Sequence, residues 1–121
     1  MKGSCLCGGV AFEVRGTPEG LSVCHCGQCR KQSGHLWASA HVPDQDLFVT
    51  GDVTWFQSSP DARRGFCPTC GSFLFWKHAK DAHTSFALGA LDAPTGLTLR
   101  RHIFTADKGD YYEISDGLPQ S

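Results

Sequence analysis

The sequence predicts a mainly β fold stapled by zinc, built from short antiparallel sheets with at most a turn or two of helix. Three observations predict it. Short runs of apolar and β-branched residues alternate with Gly, Pro and Asp turns about every ten residues, the spacing of an all-β domain. Fourteen glycines and six prolines among 121 residues supply those turns. All seven cysteines fall into three tight groups: Cys5-Leu6-Cys7, Cys24-His25-Cys26-Gly27-Gln28-Cys29 and Cys67-Pro68-Thr69-Cys70. A β domain of this size gains from a metal clip across its ends.

Taken in order, residues 3–8 read as a glycine-flanked metal loop, with Gly3, Gly8 and Gly9 free to curl the backbone so that two sulfurs converge. Val10, Phe12 and Val14 alternate with Ala11, Glu13 and Arg15, a strand with one wet face. Residues 16–20 are a turn, and Leu21-Ser22-Val23 is a short strand delivering the chain to Cys24. Residues 24–34 are the one helical stretch, closed by Gly34. Leu36 to Val42 is strand-like, and residues 43–46 turn. Leu47–Thr50 and Val53–Phe56 suggest a hairpin around Gly51-Asp52, although Gly-Asp is a weaker turn signal than Asn-Gly.

Residues 57–62 form a polar loop leading to Arg63-Arg64-Gly65-Phe66 and the second C-x-x-C. Ser72 to Trp76 is apolar on both faces, as a central strand should be. Ser85–Leu91, Leu97–Leu99 and His102–Phe104 complete the strands, and Tyr111, Tyr112, Ile114 and Leu118 can anchor a polar tail. No linker, repeat or low-complexity tract interrupts residues 1–121, so a single domain is expected.

The division of the thiols is the central inference. Four thiolates close a tetrahedral structural zinc site, whereas three leave one position open, as catalytic zinc sites do. Pooling Cys5, Cys7, Cys67 and Cys70 as one set and Cys24, Cys26 and Cys29 as another uses every ligand and splits no local cluster. Joining Cys5/Cys7 or Cys67/Cys70 to two of the central three leaves too few donors for a second site. A histidine (His25, His35 or His41) can instead close the central set. Two zinc ions per chain are expected, the second in a site able to exchange a ligand.

Charge bounds the partners. Lys plus Arg total 11 against 12 Asp plus Glu, a formal net charge of −1. Metal-bound thiolates would take this to about −4, counting −2 for a four-thiolate site and −1 for a three-thiolate site. A general affinity for nucleic-acid phosphates is therefore not expected. No apolar run approaches the ~18 residues of a membrane span. Residues after Met1-Lys2 lack the apolar core of an export signal. Seven thiols, an odd number, then fit metal binding in a reducing, cytoplasmic setting.

Four ordered segments resemble the glutathione-dependent formaldehyde-activating enzyme family, and they cover nearly the whole chain. These are Gly3-Ser4-Cys5-Leu6-Cys7-Gly8-Gly9-Val10-Ala11-Phe12, Cys24 to Gly34, Phe66 to Leu74, and His102-Ile103-Phe104 with Tyr112 to Pro119. The resemblance implies a β-tent fold. It implies structural zinc on Cys5, Cys7, Cys67 and Cys70 and active-site zinc on Cys24, Cys26 and Cys29. It also implies carbon–sulfur lyase chemistry, the condensation of formaldehyde with glutathione to S-hydroxymethylglutathione. The partner would be glutathione or another small thiol, with Arg30, Lys31, Arg63 and Arg64 available for its carboxylates. The chain resembles the short members of the family. The competing reading is a non-enzymatic zinc module that binds a protein or a small thiol. His78, His83 and His102 have no spacing that makes a site, and Trp37, Trp55 and Trp76 read as core.

Overall fold

The computed structural model describes residues 1–121 and is mainly β. A three-stranded sheet contains β1 (Lys2–Ser4), β2 (Ala11–Val14) and β5 (Leu47–Thr50) in the order β1-β2-β5. The second sheet contains β3 (Glu19–Cys24), β4 (Trp37–Pro43), β6 (Thr54–Gln57), β7 (Ala62–Phe66), β8 (Phe73–His78), β9 (His83–Ala87) and β10 (Arg101–Ile103). Its order is β10-β3-β4-β9-β8-β7-β6. All pairs are antiparallel except β10 against β3, which run parallel with Arg101 opposite Ser22 and Ile103 opposite Cys24. The single α-helix, α1 (Gly27–Ser33), ends at Gly34 in the left-handed region, whose N–H bonds back to the Arg30 carbonyl.

The main core lies between the two sheets. Phe12 of β2 meets Phe75 edge-on at 5.3 Å between ring centroids and Phe86 at 6.0 Å. Val10, Val14, Ala40, Val42, Leu74 and Leu91 fill in around them. Strand alternation then sends the intervening side chains of the large sheet to its other face. Ser39 and His41 of β4, Ser85 of β9 and Trp76 of β8 lie there, opposite Ala40, Val42, Phe86 and Phe75. A second, smaller buried cluster of Cys24, Cys29, Trp37 and Ala87 sits on that outer face.

Five local expectations fail. The hairpin at Gly51-Asp52 does not form: β5 pairs with β2, while β6 pairs with β7 in the other sheet. The chain changes sheets there, because Val53 and Trp55 pack on the main core from the large-sheet side. Leu97–Leu99 is irregular rather than a strand, and β9 stops at Ala87, followed by a 3-10 turn over Leu88–Ala90. Lys2–Ser4, read as loop, pairs with Ala11–Glu13 as an extra edge strand. Arg101–Ile103 is extended as expected but parallel to its neighbour, departing from an all-antiparallel arrangement.

The crossing point at Gly51 is intolerant. Its φ is +90°, and a Cβ there would stand 2.0 Å from the Gly9 carbonyl oxygen. Gly51→Ala is therefore expected to cost about 3 kcal/mol, combining a forbidden backbone conformation with a backbone clash. Urea denaturation reads this directly, and an unchanged midpoint would contradict the packing at this crossing.

Candidate metal centres and the pocket beside them

Cys5, Cys7, Cys67 and Cys70 come together, although about half the chain separates the first pair from the second. Their sulfurs all lie within 4.8 Å of one another. Cys5 Sγ stands 3.5 Å from Cys7 Sγ, and Cys7 Sγ stands 3.7 Å from Cys67 Sγ. Four sulfurs on one tetrahedral zinc are about 3.8 Å apart, so the spacing suits the metal. Backbone N–H groups point at the sulfurs: Val10 N–H donates to Cys5 at 3.2 Å and Gly9 N–H to Cys7 at 3.4 Å. Such bonds favour thiolate over thiol. The Ser72 hydroxyl and backbone, with the Cys7 backbone, hold the Cys70 thiol down to about 5. The cluster ties the loop after β1 to the loop before β8 and so links the two sheets.

Cys24, Cys26 and Cys29 form the second cluster, again with all sulfurs within 4.8 Å. Cys24 ends β3, Cys29 lies in α1, and Cys26 is the N-cap of that helix, its sulfur accepting from Cys29 N–H at 3.3 Å. The contact with Cys24 holds the Cys29 thiol down to about 6 against the opposing effect of burial, and Arg64 contributes in the same direction. The same contact with Cys29, together with burial, pushes the Cys24 thiol upward. Sulfurs so close cannot all carry charge without a cation between them. The donor set therefore fits zinc in both clusters, four soft thiolates in one and three in the other.

Arg64 of β7 lies 5% exposed beside the second cluster. Its Nη1 donates to Cys29 Sγ at 3.5 Å and to Gln32 Oε1 at 3.3 Å. No carboxylate pairs with it. A buried guanidinium needs a countercharge, and three thiolates with one divalent cation provide a single negative charge.

The histidines settle outside both clusters. His25, between Cys24 and Cys26, turns its ring away from the sulfurs and is 1% exposed. Its Nδ1 accepts from the Tyr112 hydroxyl, and its Nε2–H donates to His102 Nδ1 at 2.8 Å. His102 Nε2–H in turn donates to Asp116 at 2.8 Å. These bonds run in one sense when both rings are neutral, and burial, then the neighbouring His102, holds the His25 pKa below its ordinary value. They strap the C-terminal tail behind the metal loop, with Tyr112 as an anchor. His35 bonds Tyr111 at 2.8 Å instead. His41 is four strand positions from Trp37 and outside the sulfur cluster. No histidine joins Cys24, Cys26 and Cys29 as a fourth donor.

The second cluster opens into a cavity of about 350 Å³ on the outer face of the large sheet. Its floor is laid by strand register. Arg64, Trp76, Ser85 and His41 stand side by side across β7, β8, β9 and β4. Arg101, Ser22 and Ser39 form a second row across β10, β3 and β4. The sheet curls enough for Arg64 of β7 to reach Cys29, which itself touches Cys24 of β3. Of the four cationic residues singled out in the sequence, only Arg64 lines this cavity. Arg63 lies over the Trp55 ring at 4.3 Å instead. Arg101 and Phe104 were missed. Phe104 lies in a segment that carries the family resemblance, but neither residue's place at the cavity is marked locally, since both reach it through the parallel pairing of β10 with β3. Trp37 and Trp76 are cavity wall as well as packing.

Comparison with known proteins gives the family and the fold. An uncharacterized lyase of Schizosaccharomyces pombe is 26% identical over 117 residues, covering 95% of this chain and 85% of the relative. A crystal structure of a Rhodobacter sphaeroides protein superposes with a TM-score of 0.60 at 24% identity over 100% of both chains, a likeness of fold. No helix is long and apolar enough to cross a membrane. The family model for the glutathione-dependent formaldehyde-activating enzyme matches residues 1–107, a span that contains both sulfur clusters, and the chain belongs to that family.

Proposed function

We propose that this protein is a carbon–sulfur lyase that makes and breaks the adduct between a small thiol and an aldehyde, of which S-hydroxymethylglutathione is the family's example. Cys5, Cys7, Cys67 and Cys70 hold a structural zinc in this reading, and Cys24, Cys26 and Cys29 hold the zinc used in the reaction. One observation carries it: three cysteine sulfurs converge in the wall of a cavity with no fourth protein donor beside them.

Zinc bound there supplies a positive charge that favours the thiolate form of an incoming sulfur. The chain's own residues do the rest. Cys24, Cys26 and Cys29 would hold that zinc from the cavity wall, with no histidine or carboxylate beside them as a fourth protein donor. Arg64, bonded to Cys29, draws charge from that sulfur and balances the cluster. Addition forms one C–S bond, opens the carbonyl, and moves one proton from the thiol to the new hydroxyl. No oxidant or reductant is needed. His41 is the one imidazole among the cavity walls and can carry that proton.

Thiols add to formaldehyde without help, so the test must measure acceleration. NMR exchange spectroscopy on an equilibrated mixture of thiol, formaldehyde and adduct reads the interconversion rate. The two-zinc protein should raise it in proportion to protein concentration, while Cys26→Ser should not. A rate equal to the protein-free mixture, with glutathione and simpler thiols alike, would leave a non-enzymatic zinc module as the better description.

A further inference from the structure

The cavity's walls specify more than a thiol. It has two cationic side chains, Arg64 and Arg101, and no Asp or Glu. Arg64 is committed to Cys29 and Gln32. Arg101 is exposed and has no carboxylate partner. Trp37 of β4 and Trp76 of β8 lie on strands between them, and Ile103 and Phe104 line the cavity from the Arg101 side.

Phe104 is unusual in its backbone. Its φ is +54° and ψ +41°, the sole non-glycine residue on the positive side, and the residue is 56% exposed. A bulky residue in the left-handed region is strained, and such strain gathers at ligand clamps. The strain is held by bonds on both sides: His25 N–H to the Ile103 carbonyl at 3.1 Å before it, and after it Asp107 N–H to the Phe104 carbonyl at 3.1 Å and Thr105 N–H to the Ser121 carbonyl at 2.9 Å. Packing does not reward this ring, because most of it faces solvent. A ligand lying in the cavity would cover it.

We infer that the cavity selects a compact thiol, or its aldehyde adduct, with an apolar body and one carboxylate, and disfavours thiols carrying an ammonium group. The inference rests on the thiol-handling reading above and narrows it. The sulfur lies toward Cys24, Cys26 and Cys29, the apolar body lies against Trp76 and Phe104, and the carboxylate meets Arg101. Glutathione presents an ammonium group beside its carboxylates. The walls offer that group no carboxylate, and Arg64 already balances the cysteine cluster, so an ammonium there exchanges water for neutral hydroxyl, amide and imidazole partners only.

Three benzylic thiols of similar acidity separate these terms: phenylmethanethiol, its para-carboxylate and its para-aminomethyl derivative. Binding to the two-zinc protein can be followed by quenching of Trp37 and Trp76. The carboxylate should bind at least 10-fold tighter than the ammonium compound and tighter than glutathione, with the neutral thiol between. Arg101→Gln should erase the gap between carboxylate and neutral thiol. Phe104→Gly should weaken all three about 10-fold while leaving the melting temperature unchanged or a few degrees higher. A ring with a purely structural role would lower the melting temperature and leave affinity alone. Equal binding of the three thiols, or glutathione binding tightest, would overturn the selectivity and leave the thiol reading intact. Failure of every thiol to bind would overturn both.

Discussion

Cys67→Ser should abolish the cooperative fold. Cys67 is 1% exposed and part of the main core as well as of the four-sulfur cluster. That cluster joins the small sheet, through the loop after β1, to the large sheet, through the loop before β8. Structural zinc sites contribute about 10–16 kcal/mol in small zinc-folded peptides. A domain of this kind has roughly 5–15 kcal/mol of net stability. Losing one of four ligands therefore removes an amount comparable to the whole. Near-ultraviolet circular dichroism and a thermal scan are the measurements. A strong chelator applied to the unmodified protein should produce the same loss of tertiary signal, reversed by zinc. A native melting curve for Cys67→Ser would refute the assignment of this cluster as the structural staple.

Cys29→Ser should have the opposite profile, a lost reaction in a folded protein. The expected zinc content falls from two per chain to one, and acceleration of thiol–aldehyde exchange falls to the protein-free rate. The fold should persist because Cys29 belongs to the small outer cluster with Cys24, Trp37 and Ala87 and has no part in the core between the sheets. A drop of several degrees in melting temperature is expected, since Arg64 loses its thiolate partner and remains buried. Two zincs retained, or full activity retained, would show that Cys29 is not a ligand that matters. Comparing the two substitutions separates the clusters without any assumption about substrate.

Reading order along the chain served some features well and others poorly. Short-range signals held. The alternation in Val10–Val14 and the helix closing at Gly34 appear as expected, because each depends on neighbours within a few residues, and the two sulfur groups appear because ligand counting fixes how the locally formed pairs combine. The hairpin at Gly51-Asp52 failed because two adjacent apolar runs carry no mark of which sheet each will join. Phe12, Phe75 and Phe86, distant in sequence, made that choice by forming one core. The expected strand at Leu97–Leu99 also failed: its apolar alternation is present, yet it pairs with no strand of either sheet. Ser72–Trp76 was read as buried on both faces, yet Trp76 stands half-buried in the cavity wall, since the outer face of the sheet is left partly uncovered.

Residue identity and spacing determined that this chain gathers seven thiols as four and three, in a mainly β setting, because ligand count follows from chemistry and the C-x-C and C-x-x-C groups are each formed locally. Only the folded sheet decided what stands around the three. Strand register placed Arg64 beside Cys29 and Arg101 across from Ser22, and it turned His25 toward His102 and Tyr112. Those neighbours come from strands far apart in sequence, and their meeting depends on how a curled sheet pairs its edges, which no local pattern encodes.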